Sequence, residues 1–158
     1  MKHAEGKPSP LVMIADNDEE ERRILKAILK LKGFKVVEAA DGQEAINLAT
    51  KATPDLLLID LRLPRVSGLA VIRQIKNQAR LRNLHLITVS LSASSGQRSR
   101  VAGSSAHLEK PVEFDQLTSL IDRLLPGRHR NTDGPKRYRV VVDGPGLDRR
   151  FSPSLKAE

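Results

Sequence analysis

Five short apolar runs alternate along the chain with longer stretches in which apolar and polar residues are mixed. The runs cover residues 11–15, 34–38, 56–60, 84–90 and 106–109. Continuous apolar runs of this length, bounded by turn residues, are typical of buried strands. Strands that alternate with helices at this pitch predict crossover units. The pattern therefore indicates a doubly wound α/β domain, with a five-stranded parallel sheet and helices on both faces.

The stretches between the runs show the spacing of amphipathic helices. In the first of them, apolar residues recur at helical intervals over residues 24–31, and Gly33 is suited to end the helix. Asp18 and Glu21, three residues apart, fit a capping box, so the acids here are assigned to the helix start. Residues 91–105 are rich in serine and poor in large apolar side chains, which predicts a short and loosely held helix.

Composition places the chain among ordinary globular proteins. Its 158 residues are 39% hydrophobic, which suffices for one domain. The absence of cysteine excludes disulfides, thiolate metal sites and cysteine nucleophiles. The polar first ten residues do not resemble a signal peptide, and no apolar stretch approaches the roughly 20 residues of a membrane span. A cytoplasmic protein without membrane contact is expected.

Charge and composition divide the chain into three parts. We predict a flexible N-terminus over residues 1–8, a folded domain over residues 9–127 and a basic C-terminal tail over residues 128–158. The tail holds 8 Lys and Arg against 4 Asp and Glu, which is half of the formal net charge of +8. It is too short for a separate output domain without disulfides or a metal. A solvated basic extension is favoured over a nucleic-acid contact.

Polar residues suited to phosphoryl chemistry lie at the ends of four runs. Asp16 and Asp60 come at the ends of the first and third runs, Ser90 ends the fourth and Lys110 follows the fifth. Parallel strands end at one edge of a sheet, so these side chains are expected to share the cleft in which open α/β sheets bind ligands. Each residue alone has an ordinary explanation, as a turn acid, a strand hydroxyl or a surface lysine. The functional interpretation depends on all four together.

Four segments, in order, resemble one known family. IADNDEE spans the end of the first strand, DLLLIDLRLPRVSG surrounds the third, ITVS lies at the fourth and AGSSAHLEKPVEFDQL spans the fifth. Over roughly residues 9–126 the chain resembles the receiver domain of two-component response regulators, which has a flavodoxin-like fold. Pro64 and Gly68 follow Asp60 by four and eight residues, as in that family.

The resemblance implies that Asp60 is the phosphoacceptor, which takes a phosphoryl group from a histidine kinase or a phosphotransfer protein. It also implies a Mg²⁺ ion in contact with Asp60, the side chain of Asn17 and the backbone carbonyl of Arg62, with Asp16 acting mostly through water. The family usually has a second acid where this chain has Asn17, so two carboxylates rather than three would face the ion. Weaker Mg²⁺ binding, by about tenfold or more, is therefore expected.

The same resemblance assigns roles to three further positions. Lys110 and Ser90 would contact phosphoryl oxygens, and the bond before Pro111 would be cis. Ser90 would also be the switch residue, together with His107, at a position that commonly holds Tyr or Phe. In the family this ring turns inward when the hydroxyl residue moves towards the phosphoryl group.

Three functions fit the sequence. The first is a stand-alone response regulator that accepts phosphate on Asp60 and signals by contact with a downstream protein, with no catalysis beyond self-dephosphorylation. The second is a receiver-like interaction module that does not depend on phosphorylation, which Asn17, the loosely held fourth helix and His107 motivate. The third is a nucleic-acid-associated regulator that works through its basic tail.

Overall fold

Five strands and five helices make up residues 8–127, the part of the protein that the computed structural model describes. The strands are β1 (Leu11–Ala15), β2 (Lys35–Ala39), β3 (Leu56–Asp60), β4 (His85–Ser90) and β5 (Ala106–Glu109). The helices are α1 (Glu19–Leu31), α2 (Gly42–Ala52), α3 (Gly68–Asn77), α4 (Ser95–Ala102) and α5 (Phe114–Leu124), and a 3₁₀ turn, Ala79–Leu81, follows α3. Every predicted strand is present, although β2 and β4 begin one residue later than the apolar pattern indicates.

The strands form one parallel sheet in the order β2-β1-β3-β4-β5. From β1 the chain moves outward to β2, and from β3 it moves outward in the opposite direction. The winding therefore reverses between β1 and β3, and a crevice forms at the carboxyl ends of the strands at such a reversal. The predicted doubly wound, five-stranded parallel fold is confirmed.

Alternate residues of the central strands face opposite sides of the sheet, and each side has its own apolar core. Val12 and Ile14 of β1 share a core with residues of α1 and α5, whereas Met13 and Ala15 share one with residues of α2 and α3. All four side chains are almost fully buried. Because helices cover both faces, the central strands β1 and β3 are continuously apolar up to their ends rather than alternating.

Helix α1 begins at an aspartate cap. The carboxylate of Asp18 accepts hydrogen bonds from the backbone N–H groups of Glu20 at 2.9 Å and Glu21 at 3.0 Å, which satisfies donors that the helix leaves unpaired. The predicted helix start with Asp18 as its cap is confirmed, but the return contact of a capping box is not made, because the N–H of Asp18 donates to Oδ1 of Asp16 at 2.8 Å instead of to Glu21. Gly33, with φ of 89°, follows the end of the helix as predicted.

Helix α4 is the short helix that the serine-rich stretch predicts. Its buried residues are Gly96 and Ser99 rather than large apolar side chains, and Val101 is 84% exposed. The preceding Ser94 makes no side-chain capping hydrogen bond. Apolar packing, which provides most of the stability of helices in proteins, therefore contributes little here.

Two of the predicted segments lie outside the described residues. They are the flexible N-terminus, of which only Pro8 is described, and the basic tail over residues 128–158. Within residues 8–127, no helix combines the length and the apolar character needed to cross a membrane.

Gly68 allows the chain to return closely to the end of β3. Its N–H donates to the carbonyl of Leu61 at 3.1 Å. A Cβ at this position would lie 2.5 Å from the carbonyl oxygen of Asp60 and 2.6 Å from Cα of Leu61. Both are backbone atoms, which cannot move aside as the tip of a side chain can. The glycine is therefore required for the loop to pack beside Asp60.

Gly68→Ala is expected to destabilise the fold by roughly 1–3 kcal/mol, because the backbone must shift to admit the methyl group. Gln74→Ala, at an exposed position of the same helix, is the matched control and should change the free energy of unfolding by no more than about 0.5 kcal/mol. Urea unfolding followed by circular dichroism measures both. Equal midpoints for Gly68→Ala and the wild type would contradict the packing constraint.

Candidate functional site

Side chains from four strand ends lie at the carboxyl edge of the sheet. Asp16 directly follows β1, Asp60 and Ser90 are the last residues of β3 and β4, and Lys110 follows β5. Asp16, Asp60 and Ser90 are buried, with between 4% and 7% of their surface exposed. The structure therefore places all four residues at the sheet edge where the winding reverses.

Lys110 binds two of these acids directly. Its Nζ donates to Oδ2 of Asp60 at 2.7 Å and to Oδ2 of Asp16 at 3.2 Å. A third carboxylate, that of Glu21, accepts from the same Nζ at 2.7 Å. The bond between Lys110 and Pro111 is cis, as the resemblance implies. Three carboxylates, two from the start of the chain around α1 and one from the end of β3, thus share one ammonium.

Backbone N–H groups hold the other carboxylate oxygens. Oδ1 of Asp60 accepts from the N–H of Arg62 at 2.8 Å, and Oδ1 of Asp16 accepts from the N–H of Asp18 at 2.8 Å. Each acid therefore has one oxygen on the backbone and the other on Lys110. Hydrogen bonds to charged groups are stronger than neutral ones, so both carboxylates are held in fixed orientations.

Burial and the crowding of like charges change the pKa values in the site. Burial raises the pKa of Asp16 to about 6, and the charges of Asp60 and Glu21 add to this rise against the opposing effects of the Asp18 N–H and Lys110. Burial alone would lower the pKa of Lys110. The hydrogen bonds to Asp60 and Glu21 and the charge of Asp16 outweigh it, so this pKa lies above its ordinary value. Lys110 is therefore a permanent cation in the site.

Oxygen donors suited to a magnesium ion are present at this edge. Asp16 and Asp60 bring carboxylates, the exposed Asn17 brings an amide oxygen and Arg62 brings a backbone carbonyl. Among residues 8–127, no group of three or more His, Cys, Asp or Glu side chains is arranged to hold a metal. Mg²⁺ does not require such a cage, since it binds one or two carboxylates and keeps several waters. The donor set therefore fits Mg²⁺.

The hydroxyl of Ser90 points towards the neighbouring strand and loop. Its Oγ lies 2.9 Å from the carbonyl oxygen of Ser92 and 3.3 Å from Nε2 of His107. Nδ1 of the same ring lies 2.9 Å from Oγ1 of Thr88. Because Ser90 donates its hydroxyl proton to the carbonyl of Ser92, its oxygen is left to accept from Nε2–H of His107. The ring of His107 is therefore turned inward and bound to the predicted switch hydroxyl.

The same group of polar side chains reaches helix α4. Oγ1 of Thr88 also lies 3.0 Å from Oγ of Ser99, and both side chains are fully buried. A Cβ on Gly96 would lie 3.0 Å from Cδ2 of His107, so the backbone of α4 rests on the ring. We call Thr88, Ser90, Ser99 and His107 the polar layer beneath α4. It connects a strand end at the site to a surface helix.

Some residues of the site are not evident from the sequence. The local pattern assigns Glu21 to the helix start, yet its side chain binds Lys110. A signal was present, because Glu21 lies four residues before the buried Leu25 and thus puts an acid on the apolar face of α1. Thr88 gave a weaker signal, as it shares a strand face with the residue two positions later. Ser99, in a polar stretch, gave none.

Comparisons with known proteins point to one family. A family model described as the response regulator receiver domain matches residues 12–122. The polar-differentiation response regulator DivK of Brucella anthropi is 31% identical over 116 residues, which cover 72% of this chain and 94% of the relative.

Two solved structures show the same likeness. The chain resembles the receiver domain of a Francisella response regulator with a TM-score of 0.68 and 26% identity, over 73% of this chain and 95% of that one. It also resembles the receiver domain of a sensor histidine kinase from Pseudomonas aeruginosa, with a TM-score of 0.69 and 26% identity, over 73% of this chain and 97% of that one. That structure holds a magnesium ion coordinated in its active site cleft.

Asp16→Asn is expected to stabilise the protein at neutral pH in the presence of a chelator. Folding raises the pKa of Asp16 from 3.8 to about 6. The stability that this group contributes is therefore fully present below pH 3.8 and is lost as the pH rises through about 6. The variant lacks this loss, so its free energy of unfolding should exceed that of the wild type by roughly 1–3 kcal/mol at about pH 7.5. Urea unfolding at several pH values measures the difference.

Asp41→Asn is the control for this measurement. The pKa of Asp41 is lowered, chiefly by the hydrogen bond from the N–H of Glu44, so its contribution has the opposite sign and is lost as the pH falls. A difference in unfolding free energy between Asp16→Asn and the wild type that stays constant from acid to neutral pH would refute the raised pKa of Asp16.

Proposed function

The chain belongs to the response regulator receiver family, and from that premise we propose that it accepts a phosphoryl group on Asp60 and signals by protein–protein contact. The observation that carries the proposal is the contact of the buried Asp60 carboxylate with the Lys110 ammonium at 2.7 Å. Phosphoryl transfer requires positioning and charge neutralisation more than elaborate covalent chemistry, and this pair offers both.

In the proposed reaction, Oδ2 of Asp60 attacks the phosphorus of a phosphohistidine on a histidine kinase or phosphotransfer protein. The oxygen–phosphorus bond forms while the bond from phosphorus to the imidazole nitrogen breaks and leaves its electron pair on the ring. Oδ1 stays on the N–H of Arg62, which holds the plane of the carboxylate. The product is an aspartyl phosphate, and its hydrolysis by water is the only further reaction proposed.

Lys110 is proposed to change its hydrogen-bond partner during this transfer. Once Oδ2 of Asp60 is bonded to phosphorus, the ammonium can donate to a phosphoryl oxygen instead. Its pKa, above the ordinary value, keeps it protonated throughout. A Mg²⁺ ion held by Asp60, Asn17 and the carbonyl of Arg62 would supply the remaining positive charge.

The signal is proposed to leave the site through the polar layer. Ser90 must release His107 for its hydroxyl to turn towards a phosphoryl group on Asp60. The ring also binds Thr88 and lies against Gly96, so a change at Ser90 alters the support of α4. A downstream protein would then recognise α4 and its surroundings.

A receiver-like module that does not use phosphate is the second candidate. Asn17 favours it, because an amide brings no charge to a cation site. The contacts of Lys110 also favour it, because three carboxylates already surround the ammonium. In that case the cluster would serve only as a structural ion pair. The third predicted function, through the basic tail, lies outside the described residues.

Wild-type protein with Mg²⁺ is expected to bind beryllofluoride, an analogue of an aspartyl phosphate, with shifts of amide resonances from β3 to α4. Asp60→Asn should abolish these shifts, because the amide lacks the nucleophilic oxygen while preserving the shape of the side chain. Asp115→Asn removes the same charge at an exposed position of α5 and should respond as the wild type does. Two-dimensional NMR of the three proteins measures the response.

Acetyl phosphate provides an independent measurement. Mass spectrometry should find one added phosphoryl group on the wild type and on Asp115→Asn, but not on Asp60→Asn. A wild type that shows neither the resonance shifts nor the added mass would contradict the proposal. Partner binding unchanged in Asp60→Asn would then support the second candidate.

A further inference from the structure

Glu21 differs from the other acids at the start of α1. Glu19 and Glu20 are exposed, whereas only 26% of the Glu21 side chain is exposed. Its Oε2 accepts a hydrogen bond from Lys110 at 2.7 Å, the same distance that separates Lys110 from Asp60. Glu21 therefore belongs to the site by contact as well as by burial.

Glu21 brings the charge that Asn17 lacks. Together with Asp16 and Asp60 it places three carboxylates around Lys110. A site with an acid at position 17 and a neutral residue at position 21 would hold the same number of carboxylates. The third carboxylate near Lys110 reaches the site from α1 rather than from a strand end. The expectation that two carboxylates face the Mg²⁺ ion itself stays a prediction.

Glu21 also gives Lys110 a partner that takes no part in bond formation. Oδ2 of Asp60 must leave the ammonium when it attacks phosphorus. A buried cation that loses its partner is strongly destabilised. Because Glu21 holds the same Nζ at 2.7 Å, Lys110 can release Asp60 and still remain paired at the site.

We propose that Glu21 is a positioning residue of the phosphoacceptor site, which holds Lys110 beside Asp60 and supplies, in place of an acid at position 17, the third negative charge that attracts a divalent cation. The role in positioning Lys110 rests on the proposed function. The role in cation attraction can be measured without any phosphorylation.

Titration with Mg²⁺, followed by NMR, tests the cation role. Glu21→Gln is expected to weaken Mg²⁺ binding about tenfold, because a negative charge beside the site is lost. Glu20→Gln is the matched control, since it makes the same change at an exposed neighbour in the same helical turn, and its affinity should stay within about twofold of the wild type. Adding Asn17→Asp to Glu21→Gln should restore Mg²⁺ affinity. The increase in affinity should be larger in the Glu21→Gln background than in the wild-type background.

The side-chain resonances of Lys110 test the positioning role. They should shift in Glu21→Gln and remain in place in Glu20→Gln, because only the first substitution removes a hydrogen-bond partner of Nζ. Beryllofluoride affinity at saturating Mg²⁺ should also fall in Glu21→Gln alone. Circular dichroism of each variant verifies that the fold is retained.

The outcomes separate this inference from the proposed function. Equal Mg²⁺ affinities of Glu21→Gln and Glu20→Gln would overturn the inference. An increase in Mg²⁺ affinity from Asn17→Asp that is the same in the wild type and in Glu21→Gln would overturn it as well. If the wild type ignores beryllofluoride while Glu21→Gln still loses Mg²⁺ affinity, the proposed function fails and the cation role stands. If the wild type binds beryllofluoride and Glu21→Gln matches its control, only the inference fails.

Discussion

Negative charge at the carboxyl edge of the sheet is offset in part by the ammonium of Lys110, and the site depends on that contact. Asp16, Glu21 and Asp60 each lie within 3.2 Å of Nζ of Lys110. Removing an ion from water costs several kcal/mol even after relaxation of the protein, so none of these side chains could be buried here alone. Three negative charges against one positive charge leave an excess that favours the binding of a cation.

The parallel topology makes this cluster possible. The neighbouring strands β1 and β3 bring Asp16 and Asp60 side by side at the reversal of winding, and Lys110 reaches them from the end of β5 across β4. The loop after β3 then fixes Asp60, through the N–H of Arg62 and the close return of the chain at Gly68. The fold thus supplies positions, and a few local contacts supply orientations.

The strands and their terminal residues could be predicted because a strand covered on both faces needs a continuous aliphatic run that stops where polar chemistry begins. Glu21 could not be placed by local rules, since it satisfies both the pattern of a capping box and the apolar face of a helix. A contact with Lys110, 89 residues away, decides between them. Similarly, the resemblance marked His107, but its bonds to Thr88 and Ser90 depend on the register of β4 with β5.

The polar layer also determines how α4 can move. A helix on an apolar surface can slide with small, continuous losses of packing energy. A hydrogen bond instead weakens steeply once its angle and length leave a narrow range. A helix held by Ser99 and seated on the ring of His107 is therefore either docked or released, with little in between. Such behaviour would make α4 change between two discrete positions rather than move continuously.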